Sequence, residues 1–281
     1  MQLAYSATAV LTVLLILAVW RVRVSGCGFQ AWFLHAVARA YTRYVFRLKA
    51  IHPRTTPEHT SAIIIANHTS PADPMLIWAD HCRDFKGPTI RLPGFMTAKE
   101  YCEFGGIVGW ICGVMESIPV ERTGKDMGPA REALRRLKKN QLVGVFPEGK
   151  INHVSPDVQL IPGDTGAAWL ALKSQAPVIP IYIKNAPRGK SMVHSFLVQT
   201  RSTLHYGQPI DLSRWYGQRL TQQVLREVTD EMMHQLAKLG GVKPAPPTVE
   251  EQLVESSVPP AASVNALDEV VAEGERGTSV A

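Results

Sequence analysis

The sequence has 281 residues, 46% of them hydrophobic and 19% charged, which suffices for one large or two small domains with a hydrophobic core. Its four cysteines form no C-x-x-C pair and no His/Cys spacing of a metal site, so we expect no bound metal and a reducing compartment. The net charge of +6 divides into about −5 for residues 242–281 and about +11 for the rest. The basic part favours an anionic partner, such as a membrane surface or a phosphorylated substrate. Because no nucleic-acid-binding motif occurs, we expect no nucleic acid partner.

Residues 3–20 are almost wholly apolar and carry no charge. This length is close to the roughly 20 residues that a membrane-spanning helix needs. The nearby positive charges, Arg21 and Arg23, follow the apolar stretch, and no signal-peptide cleavage site comes after it, which favours an uncleaved anchor. We therefore predict a transmembrane anchor at residues 1–24 in the inner or cytoplasmic membrane. The positive-inside rule then places the rest of the chain in the cytoplasm.

Residues 25–55 are predicted to form an amphipathic helix region, because apolar side chains recur near helical spacing and arginines recur every four residues. The apolar set is Phe33, Val37, Tyr44 and Leu48, and the basic set is Arg39, Arg43 and Arg47. This pattern favours a helix that lies among lipid headgroups. A helix packed on a core with a solvated charged side has a similar pattern.

A run of β-branched residues at 63–65 stops at Asn67 and His68, and Asp73 and Pro74 follow after a short gap. The run predicts a buried strand, and Asp-Pro predicts the start of a helix. The turn would bring an imidazole and a carboxylate together at the end of a strand, where open α/β sheets place their chemistry. A carboxylate that orients an imidazole makes a general base. Alternatively, Asp73 caps the helix and His68 is a loop residue, and spacing alone leaves both open.

The rest of the sequence alternates short β-branched runs with amphipathic stretches. Strands are predicted at residues 95–98, 117–120, 142–146, 178–183 and 204–206, and helices at residues 74–81, 130–140, 166–174 and 220–239. This alternation predicts an α/β fold, with one domain at residues 56–241 built on a mainly parallel central sheet flanked by helices. The Pro-rich, acidic residues 242–281 are predicted to be a disordered tail.

Residues 104–115 are uncharged, with Gly105, Gly109 and Gly113 spaced four apart. Such spacing lets backbones approach closely. The stretch is too short to span a bilayer. It is compatible with a buried hairpin, with a lipid-facing segment or with a wall for an acyl chain.

Two motifs that would define other enzyme classes are incomplete or missing. Gly144, Gly149 and Lys150 match a phosphate-binding loop, but Ile151 stands where Ser or Thr must reach a magnesium ion, which argues against an NTPase. No G-x-S-x-G elbow occurs, which argues against a serine hydrolase with an acyl-enzyme. His68 would then activate a hydroxyl supplied from outside the protein.

Four ordered blocks resemble those of the PlsC-like glycerolipid acyltransferases, a family that includes 1-acylglycerol-3-phosphate acyltransferases. Residues 67–73, Asn-His-Thr-Ser-Pro-Ala-Asp, resemble the N-H-x4-D block. Residues 117–122 resemble the second block, an apolar strand that ends at a substrate-binding arginine. Residues 146–149, Phe-Pro-Glu-Gly, resemble the third block, and residues 178–181 resemble the fourth. The blocks span about residues 60–210, and the chain is identified as a member of this family with a glycerol-3-phosphate acyltransferase-like fold.

The resemblance implies transfer of a fatty acyl group from acyl-CoA or acyl carrier protein to the sn-2 hydroxyl of 1-acyl-sn-glycerol-3-phosphate. The product is phosphatidic acid for phospholipid biosynthesis, and no cofactor or metal is involved. His68 would be the general base and Asp73 would orient it. Backbone N–H groups at the Gly149 turn would stabilise the oxyanion. Membrane lipids would be partners of the protein.

The resemblance also implies a binding set for the acceptor. The acceptor phosphate would be held by Arg122, Lys99 and Lys150. Glu148 would hydrogen-bond the acceptor glycerol or order the basic residues. The third block of the family usually continues with Thr and Arg, but Lys150 and Ile151 stand there in this sequence. This departure leaves open another lyso-lipid acceptor, such as a lysophospholipid or lyso-ornithine lipid, or a non-catalytic membrane-binding relative.

Overall fold

A computed structural model of the chain describes residues 2–51, 55–81, 91–121, 126–154 and 157–245. The helices are α1 (Gln2–Ser25), α2 (Gly28–Tyr44), α3 (Asp73–His81), α4 (Lys99–Glu103), α5 (Gly106–Val114), α6 (Gly128–Lys138), α7 (Gly166–Ser174), α8 (Met192–Leu197) and α9 (Gln222–Gly240). The strands are β1 (Lys49–Ile51), β2 (Ala62–Ala66), β3 (Pro93–Ala98), β4 (Ile118–Val120), β5 (Leu142–Val145), β6 (Val178–Lys184) and β7 (Thr203–Tyr206).

The strands form one seven-stranded sheet in the order β1-β7-β6-β2-β5-β3-β4. Strands β6, β2, β5, β3 and β4 are mutually parallel, β7 is antiparallel to β6, and β1 runs parallel to β7. The carboxyl ends of the five parallel strands therefore lie at one edge of the sheet. The predicted α/β domain with a mainly parallel sheet flanked by helices is confirmed.

Strand β2 lies at the centre of the sheet, and its three isoleucines are fully buried. Ile63 and Ile65 pack into a core with α6, α7 and α9 on one face, while Ile64 packs into a core with α3 on the other. Burial on both faces explains why the strand reads as a continuous apolar run instead of an alternating pattern. The residues that follow β2 are thereby placed in the middle of the carboxyl edge.

Helix α2 fully buries only small and polar side chains and exposes several of its large apolar ones. Its buried residues are Ala31, His35, Ala38 and Thr42, and its exposed apolar residues are Phe29, Phe33, Val37 and Tyr44. Helical spacing puts these two sets on opposite sides of the helix. Leu48, which the sequence pattern grouped with the helix, lies beyond its end and is buried.

Within the described part of the chain, no single helix meets the length and hydropathy of a membrane span. Two segments, Ala9–Ser25 and Gly28–Tyr44, satisfy both criteria only when they are taken together, and they are bent by 104° relative to each other. Exposed apolar side chains are frequent on α1, including Leu11, Ile16 and Trp20. The anchor at residues 1–24 therefore stays a prediction.

The uncharged segment at residues 104–115 is helical, so the buried-hairpin interpretation is wrong. Helix α5 occupies most of the segment, and none of its side chains is fully buried. Phe104 and Ile107 are 77% and 73% exposed. The glycines Gly105 and Gly106 have φ of +73° and +56°, so they turn the backbone between α4 and α5 in a conformation that favours glycine.

The domain continues past the predicted boundary at residue 241. Helix α9 ends at Gly240 and is capped by Gly241, whose φ is +65°, as the Gly-Gly signal predicts. The N–H of Lys243 then donates to the carbonyl of Val158 at 2.8 Å, and its carbonyl accepts from the N–H of Leu160 at 3.1 Å. These bonds attach the first residues of the predicted tail to the domain. Residues 246–281, which hold the rest of that tail, lie outside the described residues.

Candidate active site

Loops from the carboxyl ends of three neighbouring strands, β6, β2 and β5, meet at the centre of the sheet edge. Asn67, directly after β2, is fully buried. Its amide donates to the carbonyl of Ile183 in β6 at 3.0 Å, and the N–H of Ile183 donates to its Oδ1 at 2.7 Å. Asn67 therefore continues the pairing of β2 with β6 through its side chain and fixes where the next residue, His68, leaves the sheet.

His68 and Asp73 are in direct contact. One oxygen of Asp73, Oδ2, lies 3.0 Å from Nδ1 of His68 and also accepts the backbone N–H groups of Thr69 (2.7 Å) and Ser70 (2.8 Å). The other oxygen, Oδ1, is buried and bonds to no described group. The carboxylate thus faces back over the turn instead of capping α3, so the geometry is that of an oriented imidazole and not of a helix cap.

The contact with Asp73 sets the tautomer of His68. An ionised carboxylate can only accept hydrogen bonds, so Nδ1 carries the proton and Nε2 is left with a lone pair. The imidazole ring stacks on Phe146 with 4.2 Å between ring centroids, and Phe146 stacks in turn on Phe95. The side chain of His68 stays 17% exposed, while that of Asp73 is fully buried. The base is fixed in orientation and still reachable.

Glu148 holds the backbone of His68 in place. Its Oε1 accepts the His68 N–H at 2.7 Å, and its Oε2 accepts the Ile161 N–H at 3.2 Å. The carbonyl of His68 in turn accepts the N–H of Asn152 at 2.7 Å. Glu148 is only 2% exposed, and this burial raises its pKa to about 7 even though the two backbone N–H groups favour the ionised form. Its carboxylate is therefore occupied by the protein's own backbone.

Gly149 forms the tight turn after Glu148. Its φ is +65°, and a Cβ on it would collide with Oδ2 of Asp164, so only glycine fits without rearrangement. Its N–H donates to the carbonyl of Phe146 at 3.0 Å. The Gly149 N–H is thus used within the turn and is not available as one of the backbone donors predicted to stabilise the oxyanion.

Two of the cations expected to bind the acceptor phosphate, Lys99 and Lys150, follow different strands of the sheet, β3 and β5. Lys99, at the end of β3, is 41% exposed and pairs with Glu121 at 2.8 Å and Glu103 at 3.6 Å. The hydrogen bond that Lys99 donates to Glu121 and the charges of both carboxylates raise its pKa. Lys150 is exposed, and Ile151 is half-buried. Arg122 lies outside the described residues, two positions after the end of β4.

In the part of the chain that the structure describes, no group of three or more His, Cys, Asp or Glu side chains is arranged to hold a metal ion. The chemistry that the described residues offer is that of a base, His68, oriented by Asp73 and fastened through its backbone to Glu148. This geometry suits removal of a proton from a hydroxyl.

Comparisons with known proteins agree with the fold and indicate the family. Residues 47–184 match the family model described as Acyltransferase. An uncharacterised acyltransferase of Schizosaccharomyces pombe is 30% identical over 166 residues, 56% of each chain. Human 1-acyl-sn-glycerol-3-phosphate acyltransferase alpha is 31% identical over 128 residues, 43% of this chain and 44% of that protein. The 1-acyl-sn-glycerol-3-phosphate acyltransferase of Saccharomyces cerevisiae is 23% identical over 182 residues, 63% of this chain and 56% of that protein.

The crystal structure of the acyltransferase PlsC from Thermotoga maritima has the same fold. It superposes with a TM-score of 0.55 at 18% identity and covers 75% of this chain and 80% of that one. The mainly parallel sheet, the loops around His68 and the sequence matches together define an α/β acyltransferase domain. The chain belongs to the PlsC-like acyltransferase family. It spans about half the length of the curated relatives that it matches.

Proposed function

We propose that the protein transfers a fatty acyl group from a thioester to a lipid hydroxyl, with His68 as the general base. The observation that carries the proposal is the 3.0 Å contact between Nδ1 of His68 and the buried Oδ2 of Asp73, which leaves Nε2 as a proton acceptor at the open edge of the sheet. No residue of the chain has to form an acyl-enzyme. The acceptor hydroxyl itself attacks.

In the proposed reaction, Nε2 of His68 takes the proton of the acceptor hydroxyl as its oxygen attacks the thioester carbonyl. The new C–O bond forms, the C–S bond breaks, and the thiolate leaves and recovers a proton from the imidazolium. Asp73 stabilises that imidazolium, and Glu148 keeps the backbone of His68 in place. General-base assistance of this kind contributes roughly 10²–10⁴-fold to the rate. The chemistry calls for no cofactor beyond the acyl donor, which would be acyl-CoA or acyl carrier protein.

We propose 1-acyl-sn-glycerol-3-phosphate as the acceptor, with phosphatidic acid as the product. Two matched relatives bear the name 1-acyl-sn-glycerol-3-phosphate acyltransferase, and this supports the choice. Strand β3 leads into Lys99, a basic residue at the same sheet edge as His68, and Arg122 follows β4 by two positions in the sequence. A phosphate there would form charge-assisted hydrogen bonds.

Ile151 favours a second candidate acceptor. It is half-buried and apolar where the family usually has an arginine, so the phosphate-binding set lacks one cation at that position. A lyso-lipid without a phosphate monoester, such as a lyso-ornithine lipid, would not miss that charge. This candidate leaves the roles of His68 and Asp73 unchanged.

We also propose that the domain works at a membrane surface, facing the cytoplasm. Exposed apolar side chains on α1, α2 and α5 support this, because contiguous apolar surface of this kind marks interaction sites. On α2, Phe29 and Phe33 are exposed and the same helix carries Arg39 and Arg43, a combination that is typical of helices in the headgroup layer. The variant Phe29→Asp/Phe33→Asp should lose binding to vesicles that contain anionic phospholipid. Unchanged binding would contradict the proposal.

An acceptor panel tests the function. Purified protein is incubated with labelled acyl-CoA or acyl carrier protein and, in separate reactions, with 1-acylglycerol-3-phosphate, lysophosphatidylcholine and a lyso-ornithine lipid. We expect labelled phosphatidic acid as the main product. Turnover only on lysophosphatidylcholine or only on the lyso-ornithine lipid would reject the preferred acceptor. Binding to lipid without any transfer would indicate a non-catalytic relative.

A further inference from the structure

The loop between β6 and α8 places a basic residue, Arg188, next to the candidate active site. Strand β6 is the neighbour of β2 in the sheet, on the side opposite to β5. The carbonyl of buried Pro187 in this loop accepts a hydrogen bond from the hydroxyl of Ser70, which lies between His68 and Asp73. Arg188 therefore follows a residue that is bonded directly to the loop of the general base. It lies on the flank opposite to Lys99.

The loop that carries Arg188 is held tightly. The N–H of Gly189 donates to Oγ of Ser195 at 3.0 Å, and the N–H of Lys190 donates to Nδ1 of His194 at 3.2 Å. A Cβ on Gly189 would collide with the backbone of His194 and Ser195, so the loop packs closely on the start of α8. Arg188 is thus presented from a fixed backbone, which lowers the entropy cost of binding a ligand there.

The side chain of Arg188 reaches toward the segment that passes over Glu148. Its terminal nitrogen bonds Oδ2 of Asp157 at 2.6 Å, and Asp157 lies four residues before Ile161, whose N–H donates to Glu148. Arg188 is 32% exposed and Asp157 is 51% exposed. A guanidinium carries five N–H donors, and the ion pair engages one terminal nitrogen, so the fork has donors left for a second anion.

Arg188 offers a positive charge that the expected phosphate-binding residues lack at Ile151. Ile151 provides no charge where an arginine is usual, and the charge of Lys99 is met by two carboxylates of the protein. We propose that Arg188 binds a phosphate group of a substrate, by the paired hydrogen bonds that guanidinium makes with phosphate. The proposal rests on the proposed function. The phosphate has two possible sources with the same chemistry, namely the acceptor headgroup and the phosphopantetheine arm of the acyl donor.

The ion pair between Arg188 and Asp157 allows a direct test, because substituting either residue removes it. Arg188→Ala should raise the KM of the phosphate-bearing substrate at least tenfold, and Arg188→Lys should recover only part of the loss. Asp157→Asn removes the same ion pair but leaves the guanidinium, so KM should stay the same or fall. Arg135→Ala, which removes another ion-paired surface arginine, is the matched control and should change nothing. Equal losses in Arg188→Ala and Asp157→Asn would show a purely structural pair and overturn the proposal.

A binding measurement separates this proposal from the proposed function. In a His68→Ala background, equilibrium binding is compared for 1-acylglycerol-3-phosphate against 1-acylglycerol, and for phosphopantetheine against pantetheine. Arg188→Ala should abolish the preference for the phosphorylated member of one pair. Loss in the first pair identifies the acceptor phosphate, and loss in the second identifies the donor phosphate. Preferences retained in both pairs would overturn the proposal, even if the protein proves to be an acyltransferase.

Discussion

The backbone N–H of His68 donates a 2.7 Å hydrogen bond to Oε1 of Glu148, which joins residues 80 apart in the sequence. The bond crosses from the end of β2 to the end of the neighbouring strand β5. It fixes the main chain of the proposed base, while Asp73 fixes its ring. The geometry therefore makes Glu148 a positioning residue for His68.

Glu148→Gln tests this role with almost no change in volume. A glutamine must turn its NH₂ group toward either the His68 N–H or the Ile161 N–H, so one backbone donor loses its acceptor. We expect the free energy of unfolding to fall by about 1–3 kcal/mol, the cost of one unsatisfied buried group. We expect kcat to fall at least tenfold with a smaller change in the acceptor KM. Chemical denaturation and steady-state kinetics measure both, with exposed Glu58→Gln as the control. A large rise in KM with unchanged kcat would instead indicate direct contact with the acceptor.

The raised pKa of Glu148 predicts a pH dependence of stability. Burial raises it from about 4.5 to about 7 in the folded protein, so between these values the folded state holds a proton that the unfolded state has released. The free energy of unfolding of the wild type should therefore fall, relative to Glu148→Gln, as pH rises from about 4.5 to about 7, and level off above. The full change is on the order of 3 kcal/mol. Urea unfolding of both proteins across this range measures it. A difference that stays constant with pH would contradict the assignment.

Two substitutions of Asp73 separate its contribution to stability from its contribution to the reaction. Asparagine can place its oxygen where Oδ2 accepts three N–H groups and its NH₂ where Oδ1 has no described partner. We expect Asp73→Asn to lose about 1 kcal/mol of stability and Asp73→Ala about 2–4 kcal/mol. Both should lose roughly 10²–10⁴-fold in kcat, because the imidazolium loses its countercharge. Near-normal turnover by Asp73→Asn would show that the carboxylate charge has no role in the reaction.

Gly149→Ala is expected to be strongly disruptive. It combines a positive φ with a collision at Asp164, and the turn it strains directly follows Glu148. We expect a loss of about 1–3 kcal/mol in the free energy of unfolding and a lower kcat. Gly166→Ala is the matched control, because a Cβ there meets nothing within 4 Å and α7 starts at that residue. It should be neutral or stabilising by up to about 1 kcal/mol. Similar losses in both variants would mean that the Gly149 turn has no special constraint.

Much of the fold follows from local patterns in the sequence. The β-branched runs of β2 and β6, the helix signals of α7 and the Gly-Gly stop of α9 were readable because each depends on neighbouring residues alone. The three-residue strand β1 and the six-residue helix α8 escaped prediction, since neither short segment stands out from its flanks by a clear apolar run or period. The direction of β7 was not readable either, because it is decided by pairing with β6 across the sheet.

The residues of the candidate site also differ in whether local sequence predicts them. His68 and Asp73 lie five residues apart and could be found together, since one turn joins them. The bond between Glu148 and the His68 backbone could not, because backbone donors are identical at every position and the two residues meet only through the order of the strands. Arg188 was missed for the same reason. The hydrogen bond between its neighbour Pro187 and Ser70 in the His68–Asp73 loop depends on β6 lying next to β2.

The most direct test of the account is acyl transfer by His68→Ala, measured with labelled acyl-CoA and 1-acylglycerol-3-phosphate under saturating conditions. Circular dichroism and thermal unfolding establish that the variant is folded, and His59→Ala, which removes a histidine that is 92% exposed, serves as the matched control. We predict that His68→Ala loses roughly 10²–10⁴-fold in kcat while His59→Ala keeps wild-type turnover. A folded His68→Ala protein with turnover within a few-fold of the wild type would contradict the assignment of His68 as the general base.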